Sequence, residues 1–161
     1  MLSYLNDPAV KEKFALRFAA HRAADEVIQG TGFNGERGCF VGCTLDNYDH
    51  AQFPVQLGWP EWLAHLADKI FEGIPQSAAA QFGTDLLAAV PVGVDLHDVQ
   101  YKIAVLRHKR QLVRLEGNAE PYAEQCRNAL QGVIDYCESQ IKTESAESAA
   151  WSAAESALLL L

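Results

Sequence analysis

Apolar residues along this chain recur every three or four positions in most segments, and no stretch alternates apolar and polar residues over the length of a strand. That periodicity is the mark of helices with one buried face. It predicts an all-α fold: an irregular bundle of about five helices, with a short irregular segment near 30–57 and a helical tail. Asp7 reads as an N-cap with Pro8 at the first helical position, opening a helix that runs to about Gln29 and stops at Gly30-Thr31-Gly32. Its apolar face carries Val10, Phe14, Phe18 and Ile28. Pro60 opens a second long helix ending at Gly73-Ile74-Pro75. Trp62, Leu63, Leu66 and Ile70 form its expected stripe, and Glu61 and Asp68 are expected to point away from it. Further helices are expected over 76–89, from Asp95 to about Leu115, and over 119–141. The stretch from Cys39 to Leu45 lies among helices and reads as a short helix or turn. Asp46-Asn47-Tyr48-Asp49 follows as a turn.

The first helix breaks its own pattern. At about 100° per residue, His21 and Asp25 fall inside the apolar stripe between Phe18 and Ile28. They are four residues apart, so on a continuous helix their side chains can touch. This pair faces the one stretch of the chain that concentrates reactive side chains, Gly38-Cys39-Phe40-Val41-Gly42-Cys43-Thr44, with His50 shortly after.

Composition narrows the choices. The chain has 161 residues and a net charge of −8. That length suits one domain, expected over 1–142, and can bury enough surface to fold without disulfides. The acidic balance disfavours nucleic acid as a partner. The basic run Arg107, His108, Lys109, Arg110 and Arg114 reads as a solvated helix end. No stretch approaches the ~18 apolar residues of a membrane span, and the first residues lack the basic-then-apolar pattern of a signal peptide. The expectation is a cytoplasmic protein with reduced thiols and no membrane. Residues 143–161 change to an Ala/Ser/Glu-rich composition. They read as a helical tail suited to an unknown protein partner or to self-association. Cys126 and Cys137 share one helix and are expected to be small buried hydrophobes.

Four blocks carry a resemblance: Ala20-His21-Arg22-Ala23-Ala24-Asp25-Glu26, Gly38-Cys39-Phe40-Val41-Gly42-Cys43-Thr44, Leu66-Ala67-Asp68-Lys69-Ile70-Phe71-Glu72-Gly73 and Ala89-Val90-Pro91-Val92-Gly93. The chain resembles a family of small, uncharacterised phage- and prophage-associated bacterial proteins with a Gly-Cys-x-Val-Gly-Cys-Thr motif. The resemblance implies a phage or prophage setting. It supplies no activity, substrate or fold.

The chemistry therefore rests on the residues, which allow three readings. In the first, the chain is an accessory or interaction protein, and His21, Asp25, Cys39, Cys43 and His50 form a buried polar centre that is structural or binds a ligand. In the second it is a thiol-dependent hydrolase, with Cys43 as nucleophile, His21 as base and Asp25 orienting the imidazole. In the third it is a zinc-stabilised module, with Cys39, Cys43 and His50 as ligands and His21 or Asp25 as the fourth. Asp46-Asn47-x-Asp49 lacks the glycine and terminal glutamate of a calcium loop and is set aside.

Overall fold

The computed structural model describes residues 1–141. The expected tail, 143–161, lies outside the described residues. The fold is all-α, and among the described residues backbone pairing outside helices is limited to isolated bridges. The helices are α1 (Pro8–Ala23), α2 (Phe40–Leu45), α3 (Gln52–Leu57), α4 (Glu61–Gly73), α5 (Gln76–Ala89), α6 (Val99–Arg114) and α7 (Ala123–Gln140). They form two compact units, residues 1–96 and the described residues from 97 onward. No described helix is long and apolar enough to cross a membrane.

In the first unit, α1 packs against α2 and α5, and α4 packs against α2, α3 and α5. Phe40, fully buried at the start of α2, is the centre of the core. The rings of Phe18, Phe53 and Phe82 surround it with centroids 5.8, 6.1 and 6.4 Å away. Aromatic pairs at such spacing add to the area they bury.

The chain start is built more tightly than its composition suggests. Tyr4, Leu5 and Asn6 form a turn with φ of 52°, 55° and 60°, a left-handed run costing about 1–2 kcal/mol per residue. Burial of Tyr4 offsets that cost. Its ring meets Trp59 edge-on at 5.6 Å and its hydroxyl donates to the Leu87 carbonyl at 2.6 Å.

Helix α1 begins as its sequence predicts: Asp7 Oδ1 accepts from the Ala9 N–H at 2.8 Å, and Pro8 is the first helical residue. It ends at Ala23, six residues before the expected stop. Asp25 takes a left-handed φ of 59°, the Asp25 N–H donates to the Arg22 carbonyl, and the Glu26 N–H donates to the His21 carbonyl. This is the Schellman termination usually made with glycine, here made by aspartate, which tolerates that conformation. Residues 26–28 then run extended, pairing with Gly38 through Gly38 N–H to Glu26 O and Ile28 N–H to Gly38 O.

Helix α4 is also rotated relative to expectation. Its buried residues are Leu63, Ala64, Ala67, Asp68 and Phe71, while Trp62, Leu66 and Ile70 are half-buried. Asp68 therefore lies inside the buried stripe, not opposite it. The small side chains of Ala64 and Ala67 let α4 approach its neighbours on that side.

In the second unit, α6 and α7 pair around Val105, Ile134 and Cys137, with Tyr101, Ala104, Leu112 and Ile141 packed beside them. Lys109 and Glu138 form an ion pair at 2.7 Å. Cys137 is buried as expected, but Cys126 is exposed. The seam of α7 runs through Ala123, Arg127, Leu130, Ile134 and Cys137, and Cys126 falls one position off it.

The glycine-rich loop docks on α2 by backbone contact. A Cβ on Gly42 would lie 2.0 Å from the Gly32 carbonyl oxygen, and one on Gly38 would lie 2.6 Å from the same atom. Gly42→Ala is expected to destabilise the protein by about 2–3 kcal/mol, the scale of overpacking against an atom that cannot yield. Gly132→Ala, in α7 with open space around it, is expected to be neutral or stabilising by about 0.5–1 kcal/mol. Denaturant melts of the two variants test this; equal effects would contradict it.

Candidate functional site

Two polar clusters flank α2. The first contains His21, near the end of α1. The Schellman turn carries Glu26 back over the last turn of α1, so Glu26 Oε2 lies 2.6 Å from His21 Nδ1. Asp46, which ends α2 with a left-handed φ of 54°, places Oδ1 2.8 Å from His21 Nε2 and Oδ2 2.9 Å from Arg17 Nε. The arrangement is a chain of alternating charge, Arg17–Asp46–His21–Glu26. Both imidazole nitrogens face carboxylates, which only accept when ionised, so the imidazolium is the form that satisfies both contacts. Burial lowers the His21 pKa, but the hydrogen bonds and charges of Asp46 and Glu26 outweigh it and the net shift is upward.

This geometry leaves the Cys43–His21–Asp25 triad unassembled. Asp25 is exposed at the turn after α1, and the orienting carboxylates at His21 are Glu26 and Asp46 instead. The Cys43 thiol points to backbone, 3.3 Å from the Gly38 carbonyl oxygen and 3.7 Å from that of Glu26. Burial, with the charges of Glu26 and Asp46, pushes the Cys43 thiol up to about 11. A protonated imidazole cannot accept a proton, and a thiol held that high is a poor nucleophile near neutrality.

The second cluster lies where the glycine loop meets α4. A cleft of about 460 Å³ is lined by residues 30–33 of the loop with Cys39, Tyr48, Asp68 and Glu72. The loop is held by the Cys39 N–H, which donates to the carbonyls of Thr31 and Gly32 at 2.9 and 3.1 Å. The Glu72 carboxylate accepts from the Gly30 N–H at 2.8 Å. Tyr48 lies across Gly32. Cys39 Sγ and one carboxylate oxygen each from Asp68 and Glu72 lie within 4.8 Å of one another.

Asp68 is buried beside Cys39, with 9% of its surface exposed. Its Oδ2 accepts from the Tyr48 hydroxyl at 3.1 Å and from His50 Nε2 at 3.2 Å. Its Oδ1 is buried and has no hydrogen-bond partner. The Cys39 thiol lies beside this carboxylate, within reach of its charge and of a weak hydrogen bond to it. Burial first, then Asp68, push the Cys39 thiol up to about 12. Burial and the charges of Asp68, Cys39 and Glu72 also push the Tyr48 phenol up to about 12. None of the residues lining the cleft is basic.

The expected ligand set of Cys39, Cys43 and His50 is divided by the structure. Cys39 belongs to the cleft. His50 is not among the lining residues; it meets Asp68 and the Tyr48 ring and stacks on His65 with ring centroids 4.0 Å apart. Cys43 points to the other side, toward Glu26 and Gly38. The reason is the start of α2: Cys39 is its N-cap with extended backbone (φ −72°, ψ −172°), so its side chain leaves in a different direction from that of Cys43 inside the helix. Asp68, Glu72 and Tyr48 were not singled out from sequence. The available signal was Ala64, Ala67 and Phe71, which bracket Asp68 at helical spacing on one face.

The His21 cluster carries a pH dependence. A histidine whose folded pKa lies above its unfolded value contributes stability that is full below the unfolded pKa. That contribution is lost as pH rises through the folded pKa. Melting temperature is therefore expected to fall as pH rises from about 6 to about 8, and the slope is expected to flatten in His21→Gln. An unchanged slope in that variant would contradict the assignment. No protein-family model, curated protein or solved structure matches this chain.

Proposed function

We propose that this chain acts by binding rather than by catalysis, as a small accessory protein of the phage-associated kind its sequence blocks resemble, and that the cleft between the glycine loop and α4 takes a cationic ligand. The observation that carries this reading is Asp68 Oδ1, a buried carboxylate oxygen with no partner in a cleft free of basic side chains. A buried ionised carboxylate left without compensation is costly, and a bound cation offsets that cost. The state of the thiols supports binding over thiol hydrolysis. Cys43 and Cys39 are buried, and burial pushes both thiols up, whereas a nucleophilic cysteine needs thiolate character and access.

The reading is tested by thermal melts of the full chain in the presence of magnesium, calcium, zinc and spermidine, compared with phosphate and citrate under matched ionic strength. At least one cation at about 100 times its dissociation constant is expected to stabilise by about 2.7 kcal/mol, several degrees for a chain of this length. The anions are expected to do nothing. Asp68→Asn is expected to abolish the cation effect while leaving the fold intact, since asparagine keeps the shape of the side chain and an acceptor oxygen for Tyr48 and His50. Stabilisation by the anions, or an equal cation effect in Asp68→Asn, would contradict the reading.

A further inference from the structure

We propose that the cleft is a metal site for a divalent ion of the zinc class, with Cys39 Sγ, Asp68 and Glu72 as its protein ligands and solvent in the remaining position. This inference rests on the cation-binding reading above and names the ligand of that site.

The donor atoms are already gathered. They lie within 4.8 Å of one another, and donors around a tetrahedral zinc, at about 2.0–2.3 Å from the ion, are about 3.5 Å apart. Glu72 is a surface side chain that also holds the Gly30 N–H, so one carboxylate oxygen can keep that bond while the other turns toward the ion.

The surroundings of Asp68 match those of a metal-ligating carboxylate. Two donors, Tyr48 and His50, hold Oδ2 from behind, and Oδ1 is left with no partner. Outer partners of that sort fix the orientation of a ligand and are part of a metal site's design. The stacking of His65 on His50 braces the second of them.

The donor types select the metal. Calcium and magnesium take oxygen ligands, six or more in number. A buried sulfur among the donors favours zinc and its neighbours instead. Three protein donors with a fourth position facing a cleft is the open arrangement seen where zinc binds a further group. The charge balance agrees: one thiolate and two carboxylates carry three negative charges, and the ion offsets two. Binding replaces the Cys39 S–H bond with an S–metal bond and releases one proton to solvent, so affinity rises with pH.

The test uses the full chain, freed of metal and titrated with Zn²⁺ or Co²⁺. Native mass spectrometry is expected to show one ion per chain, and Co²⁺ is expected to give a sulfur-to-cobalt charge-transfer band in the near ultraviolet. Cys39→Ser is expected to lose that band. Tyr48→Phe, which removes only an outer partner, is expected to weaken Zn²⁺ binding by about 10- to 100-fold. Cys126→Ser, exposed on α7, is expected to change nothing. Should Cys39→Ser fail to fold, protection of Cys39 from alkylation by Zn²⁺ in the unaltered chain gives the same answer. Absence of Zn²⁺ binding, a band that survives Cys39→Ser, or unprotected Cys39 would overturn the metal assignment. If spermidine or calcium still stabilises the chain through Asp68 in that event, the cationic cleft stands without zinc. If no cation binds, both proposals fall.

Discussion

The first unit depends on how closely one carbonyl can approach a helix. The Gly32 oxygen sits against the backbone of Gly38 and Gly42, at distances that leave no room for a side chain on either. That contact lays the loop along α2, and the Cys39 N–H closes it by donating to Thr31 and Gly32. Because α2 is packed between α1 and α4, docking the loop there also decides what the loop can reach. Gly30 meets Glu72 on α4, and Tyr48 crosses Gly32 to reach Asp68.

Polar groups are consequently sorted onto two sides of α2, and the two sides are electrically different. On one side Arg17 and His21 alternate with Asp46 and Glu26, so each charge has an opposite neighbour. Such a chain ties α1 to the end of α2 and needs nothing from outside. On the other side Asp68 and Glu72 gather around Cys39 and Tyr48 with no basic side chain lining the cleft. In the first cluster Arg17 and His21 stand opposite two carboxylates, whereas in the second Asp68 meets the His50 imidazole and Glu72 meets the Gly30 N–H. That difference is the ground for proposing the second cluster, and not the first, as a binding site.

The sequence reading succeeds where periodicity and capping are unambiguous. Asp7-Pro8 opens α1, α4 ends at Gly73, and Phe14 and Phe18 of α1 lie in the core. It fails where an unusual residue fills a standard role. Asp25 stands in the left-handed position normally held by glycine, so the periodic pattern runs past the true end of α1, and the carboxylates at His21 are Glu26 and Asp46 in place of Asp25. Helix α4 offers two apolar stripes of similar strength. The bulkier one, Trp62 to Ile70, is the half-buried one, because Ala64 and Ala67 allow closer packing. That choice hid Asp68. Cys39 lines the cleft, whereas Cys43 and His50 share its neighbourhood in sequence but are not among the lining residues. The left-handed turn at Tyr4 to Asn6 has no sequence signal, since none of the three is glycine.

The most direct test of this account is amide hydrogen exchange at Ile28, Gly38 and Cys39, the three N–H groups that dock the extended segment and loop onto α2. Protection comparable to that of Phe18, inside α1, is the result the account requires. Exchange at those three amides as fast as at Gly35, on the exposed tip of the loop, would mean that the loop is not seated on α2, and the cleft would lose the wall that defines it.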